Sequence, residues 1–129
     1  MEEHANVAAM RHLYDAFTAK DVGEIAQSLA ETTYHIPGDN IIAGTYRGGE
    51  EILALMARQM TETNGTWSLR VHDIVGDEKH VVALDRITGR RGDREIDLNR
   101  VVIAHVVDGR AMDIWVVPQD QYAFDEFWG

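Results

Sequence analysis

The sequence predicts a single α+β domain in which helices pack on a strongly bent antiparallel sheet and enclose a pocket. Three observations lead there. Apolar residues in the first half recur at helical spacing, whereas those in the second half alternate at strand spacing in four runs separated by turn signals. One of these runs, 95–107, is more than twice the length of an ordinary strand, and a strand that long bends or bulges. A sheet curved in this way leaves a concavity that helices can roof.

The elements follow in order. In 7–19, Val7, Met10, Leu13, Tyr14 and Phe17 share one helix face. Asp21 is placed to cap a short second helix carrying Ile25, Ala26 and Leu29. A strand over 32–37 ends at Pro37, and 38–49, with its glycines and the Asp39-Asn40 pair, reads as a loop. Helix returns over 50–63, with Ile52, Leu53, Leu55, Met56, Gln59 and Met60 forming a stripe. Strands are expected over 67–74, 80–88, 95–107 and 111–117, with turns at Gly76-Asp77-Glu78, Arg91-Gly92-Asp93 and Asp108-Gly109. An aromatic tail (Tyr122, Phe124, Phe127, Trp128) closes the sequence.

The chain has 129 residues, enough for one domain with a sizeable core, and 45% of them are hydrophobic. No stretch approaches the roughly 18–20 apolar residues of a membrane span. The start, Met1-Glu2-Glu3-His4, has neither the positive charge nor the apolar run of a signal peptide, so a cytoplasmic protein is expected. Cysteine is absent, which excludes disulfides, thiol nucleophiles and thiolate metal sites. The net charge of −10 opposes nucleic-acid binding, because the one dense basic run, Arg90-Arg91 with Arg94, is interleaved with Asp93 and Glu95.

Three stretches carry a family resemblance. They are Leu13-Tyr14-Asp15-Ala16-Phe17 followed by Lys20-Asp21; His35-Ile36-Pro37-Gly38 followed by Gly44-Thr45-Tyr46-Arg47-Gly48; and Val107-Asp108-Gly109-Arg110 through Trp115 to Asp120. In their order and spacing the chain resembles the NTF2-like superfamily, in particular its SnoaL-like, ketosteroid-isomerase-like branch. That resemblance implies a cystatin-like cone around a pocket for a small hydrophobic molecule, and a homodimer formed through the outer sheet face. It also implies an enzyme without cofactor, of the isomerase, polyketide cyclase, dehydratase or hydrolase type. The residues that serve ketosteroid isomerases match Leu13, Ile36 and Ile103 here, all apolar, and Tyr14 is expected to face elsewhere on its helix. Of the set used by limonene-epoxide hydrolases only the arginine is matched, by Arg86; the other positions fall at Thr88, Val116, Thr33 and His35. Neither mechanism carries over.

With Arg86 taken as inward, strand alternation also turns Leu84 and Thr88 inward, together with Asn99, Val101, Ile103 and His105 on the long strand and Thr33 and His35 on the first. Tyr14, Phe17, Met56, Met60 and Trp67 complete the lining, and with Asn99 and His105 they form the expected substrate-binding set. His35 is the expected general base, since a neutral imidazole exchanges protons near pH 7; the alternative is a histidine bonded to the loop at 38–40. Asp39 is expected to orient it or act as a second base, or else to be a turn residue. Arg86 is expected to steady a developing oxyanion, or else to lie on the surface. No metal site is expected, because the histidines lack ligand spacing. Arg100, Val102, Ala104 and Val106 are expected on the outer face, covered by a second copy of the chain. The rivals are a non-catalytic binding or dimeric accessory protein and an association module with Trp128 as a plug.

Overall fold

A computed structural model describes residues 3–129; Met1 and Glu2 of the acidic start lie outside the described residues. Helix α1 (Ala5–Ala19) buries Val7, Met10, Leu13, Tyr14 and Ala16 and stops at Lys20, whose φ of 56° breaks the helix. The Asp21 side chain accepts a hydrogen bond from the Glu24 N–H at 3.2 Å and starts α2 (Val22–Ser28), as expected of a capping aspartate. Then come β1 (Thr33–Ile36), β2 (Gly44–Arg47), α3 (Gly48–Glu62), β3 (Ser68–Gly76), β4 (His80–Arg91), β5 (Arg94–Val107), β6 (Arg110–Pro118) and α4 (Gln121–Phe127).

Two segments differ from the sequence expectation. The loop at 38–49 contains β2, which pairs Tyr46 with Tyr34 and Thr45 with His35; these β-favouring residues were masked by their glycine neighbours. The aromatic tail, given no secondary structure from the sequence, is helical, with Asp120 accepting from the Ala123 N–H at 3.0 Å.

The six strands form one sheet in the order β2-β1-β6-β5-β4-β3. β3 to β6 are an antiparallel meander, and β1 joins β6 in parallel. Helices α1, α2 and α3 lie over the inner face. Gly49 lets α3 approach α2, since a Cβ there would stand 2.5 Å from the Ala26 carbonyl oxygen.

The inner face is set by the opposite strand parity to the one expected. Ala83, Asp85 and Ile87 of β4, and Arg100, Val102, Ala104 and Val106 of β5, are buried against the helices. Arg86, Asn99, Val101, Ile103 and His105 consequently face outward, and Tyr34 and Ile36, not Thr33 and His35, carry the inward side of β1. One apolar cluster joins α1, α2 and α3 to the sheet. A second fills the other end of the cone with Trp67, Phe124, Phe127 and Trp128.

Candidate functional site

The inner face carries one fully buried ion pair. Asp85 on β4 and Arg100 on β5 are cross-strand partners, with relative exposures of 0% and 4%. Arg100 donates from Nε to Asp85 Oδ1 at 2.9 Å and from Nη2 to Oδ2 at 2.7 Å, a bidentate fork. The Tyr14 hydroxyl, brought down from α1, donates to Oδ2 at 2.7 Å. Tyr34 of β1, packed against the same core, completes the group, close enough for the Arg100 charge to act on its phenol.

The electrostatics follow from burial. Desolvation, reinforced by the negative charge of Asp85, pushes the Tyr14 phenol far above its ordinary pKa and keeps it a neutral donor. Desolvation raises the Tyr34 phenol too, although Arg100 opposes the rise. Burial alone would lower the pKa of Arg100; its hydrogen bonds to Asp85 and the carboxylate charge outweigh that and hold it above the ordinary arginine value. The result is an ionised pair with two neutral phenols around it. Among the described residues, the Nη1 group of Arg100 donates to no protein acceptor.

A recess of about 340 Å³ opens at the C-terminal end of α1, lined by Phe17, Met56, Gln59, Met60, Trp67 and Leu69 among others. Leu69 faces Ile87 across β3 and β4, and the next inward row along the strands, about 7 Å on, is Val71–Asp85–Arg100. The Phe17 ring also meets the Tyr14 ring edge-on, at 6.3 Å between centroids. The recess thus lies one side-chain row from the buried cluster, none of whose four residues lines it.

The structure separates the residues singled out in the sequence into two groups. Phe17, Met56, Met60 and Trp67 line the recess, and Tyr14, buried, turns its hydroxyl to Asp85 in the interior. The polar set lies elsewhere. His35 is on the outer face, its ring stacked on Trp115 at 5.4 Å and its Nε2 3.0 Å from Asp113 Oδ1, so neither expectation for its partner holds. His105 stacks on His80 on the same face. Arg86 is exposed and paired with Asp97, its Nη2 donating to Oδ2 at 2.9 Å. Asn99 is exposed beside it, across from Arg86. Asp39 is exposed on the loop after β1, where its N–H donates to Asp125 at 3.3 Å. None of these five reaches the interior, because each sits at an outward-facing position of its strand or in a surface turn.

Asp85 and Arg100 were missed for the same reason. The signal was nonetheless present: counting back from the Arg91-Gly92-Asp93 turn, with Arg91 opposite Arg94, brings Asp85 opposite Arg100. Opposite charges at matched distances from a hairpin, each with apolar residues two positions away on both sides (Ala83 and Ile87, Leu98 and Val102), mark a buried pair. Among the described residues no group of three or more histidine, aspartate or glutamate side chains is placed to hold a metal ion.

Residues 10–114 match the family model described as SnoaL-like domain. An uncharacterised protein of Mycobacterium tuberculosis is 24% identical over 130 residues, covering 99% of each chain. Among solved structures, Bal32a from a soil-derived mobile gene cassette is 30% identical and superposes with a TM-score of 0.90 over 97% of both chains. TerC, co-crystallised with polyporic acid, is 21% identical with a TM-score of 0.79 over 95% of this chain and 97% of its own. Further structures on which the chain superposes are of the cystatin-like and NTF2-like kind.

Proposed function

Because this chain belongs to the SnoaL-like domain family, with an NTF2-like fold, we propose that it binds a small, largely apolar carbonyl compound in the recess and transforms it by acid–base chemistry without a cofactor. One observation carries this reading: the Asp85–Arg100 pair, with Tyr14 and Tyr34, lies buried one side-chain row behind an apolar recess. Taking two ions out of water costs several kcal/mol each, and packed apolar residues of the same volume stabilise a fold at least as well. Such a pair is retained where its charge has a use.

The geometry suits a reaction in which negative charge develops on a carbonyl oxygen, as in isomerisation, cyclisation, dehydration or hydration. Arg100 through Nη1, assisted by the Tyr34 hydroxyl, offers donors fixed in place in a low-dielectric setting, where oxyanion stabilisation is strongest. Asp85 holds Arg100 and Tyr14 in register and, through the Tyr14 hydroxyl, gives the site a route for a proton. Phe17, Met56, Met60 and Trp67 supply apolar contact area, the methionines adapting to irregular outlines. TerC, a similar fold co-crystallised with polyporic acid, supports the reading that such a fold can host a small molecule.

The test uses 4-nitrophenol as an oxyanion probe. Binding to wild type quenches Trp67 fluorescence and shifts the ionisation of the bound phenol toward the phenolate. In the Asp85→Leu/Arg100→Met double variant, folded but without the charges, the shift is lost. Equal ionisation of the bound probe in both proteins would remove Arg100 from the chemistry.

A second reading, a non-catalytic binding or dimeric accessory protein, is favoured by two features. Phe124, Phe127 and Trp128 fill the end of the cone next to Trp67. The outer sheet face presents Trp115 and Val117, 38% and 45% exposed, beside Val101 and Ile103, and a second copy of the chain covers such a face economically.

A further inference from the structure

We propose that a cavity at the opposite end of the cone, between α1, α2 and the β5–β6 hairpin, is a second ligand site that takes a small apolar molecule with a protonated amine head. This inference is independent of the reaction proposed for the recess. The cavity holds about 490 Å³, within the range of small-molecule sites. Its walls include Met10, Leu13, Val81, Ala104, Val106 and Ala111.

A β-bulge makes the space. Up to His105↔Asp113 the β5–β6 ladder is regular, and an unbroken ladder would set Met112 opposite Val106 on the inner face. The register instead shifts, and Val106 pairs with Ala111. A methyl group thus replaces a methionine side chain on the cavity wall. The bulge is fastened at its β6 side, where the buried Thr32 hydroxyl donates to the Ala111 carbonyl at 2.6 Å, while Val106 keeps its bond to the β4 side, its N–H donating to the Lys79 carbonyl at 2.7 Å.

The rim selects the head group. Glu24 Oε1 accepts from the Ser28 hydroxyl at 3.2 Å and lies 3.0 Å from His12 Nε2, while Oε2 accepts from none of the described residues. Of the rim's donors, the Asn6 amide is engaged by the Asp77 and Glu78 carbonyls and Arg110 faces Glu31 at 3.4 Å, while Gln27 brings a neutral amide; the Glu24 carboxylate is the acidic group that lines the cavity, in a chain of net charge −10. An ammonium group satisfies it with a charge-assisted hydrogen bond, and the apolar body fills the cavity behind.

The experiment compares 2-phenylethylammonium with 3-phenylpropionate, alike in shape and opposite in charge, by amide chemical-shift titration of the full chain. The ammonium ion is expected to shift Met10, Ala104 and Ala111 and to bind about tenfold more tightly than the carboxylate, as one charge-assisted hydrogen bond allows. Glu24→Gln should remove that preference. Ala111→Met, which refills the space, and Ala9→Trp, which crowds the exposed rim from α1, should each abolish the shifts. Because Ala9 is exposed, the second variant keeps its fold even where the first does not. Equal affinity for both probes, shifts confined to the recess, or unaltered binding by Glu24→Gln or Ala9→Trp would each overturn the assignment.

Discussion

Removing one partner of the Asp85–Arg100 pair strands a charge among apolar side chains, with Tyr14 left holding the carboxylate or nothing at all. Arg100→Met alone is therefore expected to destabilise the fold by about 3–5 kcal/mol, the range for broken buried pairs. Replacing both, as Asp85→Leu/Arg100→Met, should return most of that loss, because no charge then remains to be solvated. Urea denaturation of the two variants measures the difference directly. A double variant as unstable as the single one would show that the pair fixes the inner face and has no other purpose. The same comparison supports the probe experiment, since only a folded double variant can report on oxyanion binding.

Strand parity decides which residues of β4 and β5 count as interior, and here both parities looked alike in the sequence. Asn99, Val101, Ile103 and His105 form one apolar row with polar ends; Arg100, Val102, Ala104 and Val106 form another with a cation at its start. With either row plausible, alternation gave the strands and their turns but not their inward side. The helices were legible more fully, since a period of 3.6 has only one apolar face, and Phe17, Met56 and Met60 came out on the side that lines the recess. At α4 the controlling residue is Asp125, which accepts from the Asn40 and Gln121 side chains at 2.6 and 3.0 Å and from the Asp39 N–H at 3.3 Å. Partial desolvation would raise its pKa; the hydrogen bonds prevail and hold it below the ordinary value of 3.8. A carboxylate depressed in the folded state stabilises it above the unfolded value and loses that contribution as pH falls through the folded one. Loosening of α4, read as a change in the fluorescence of buried Trp128, is accordingly expected below pH 3.8. Asp125→Asn should remove that step and leave the helix looser at neutral pH.

For the molecule as a whole, the family resemblance located the cone and its roof correctly because those depend on element order and turn positions, which the sequence displays. The outer face depends on parity, and its composition had to come from the structure: Trp115, Val117, Val101 and Ile103 replace the row expected there. If this face joins two copies of the chain, sedimentation should give a concentration-dependent dimer, and Trp115→Glu should yield monomer without lowering the melting temperature by more than a few degrees. A monomer at all concentrations would leave the apolar face without that partner. The parallel seam between β1 and β6 has a separate consequence for how the chain is made. His35 meets Asp113 across 78 residues, whereas the meander from β3 to β6 closes through short turns. On a ribosome the first strand emerges long before its β6 neighbour exists, so the β1–β2 pair waits with the β6 side of β1 open while the meander assembles. Sheet completion is then a late, long-range event, and the interval before it is when an incomplete chain is most exposed to pairing with another.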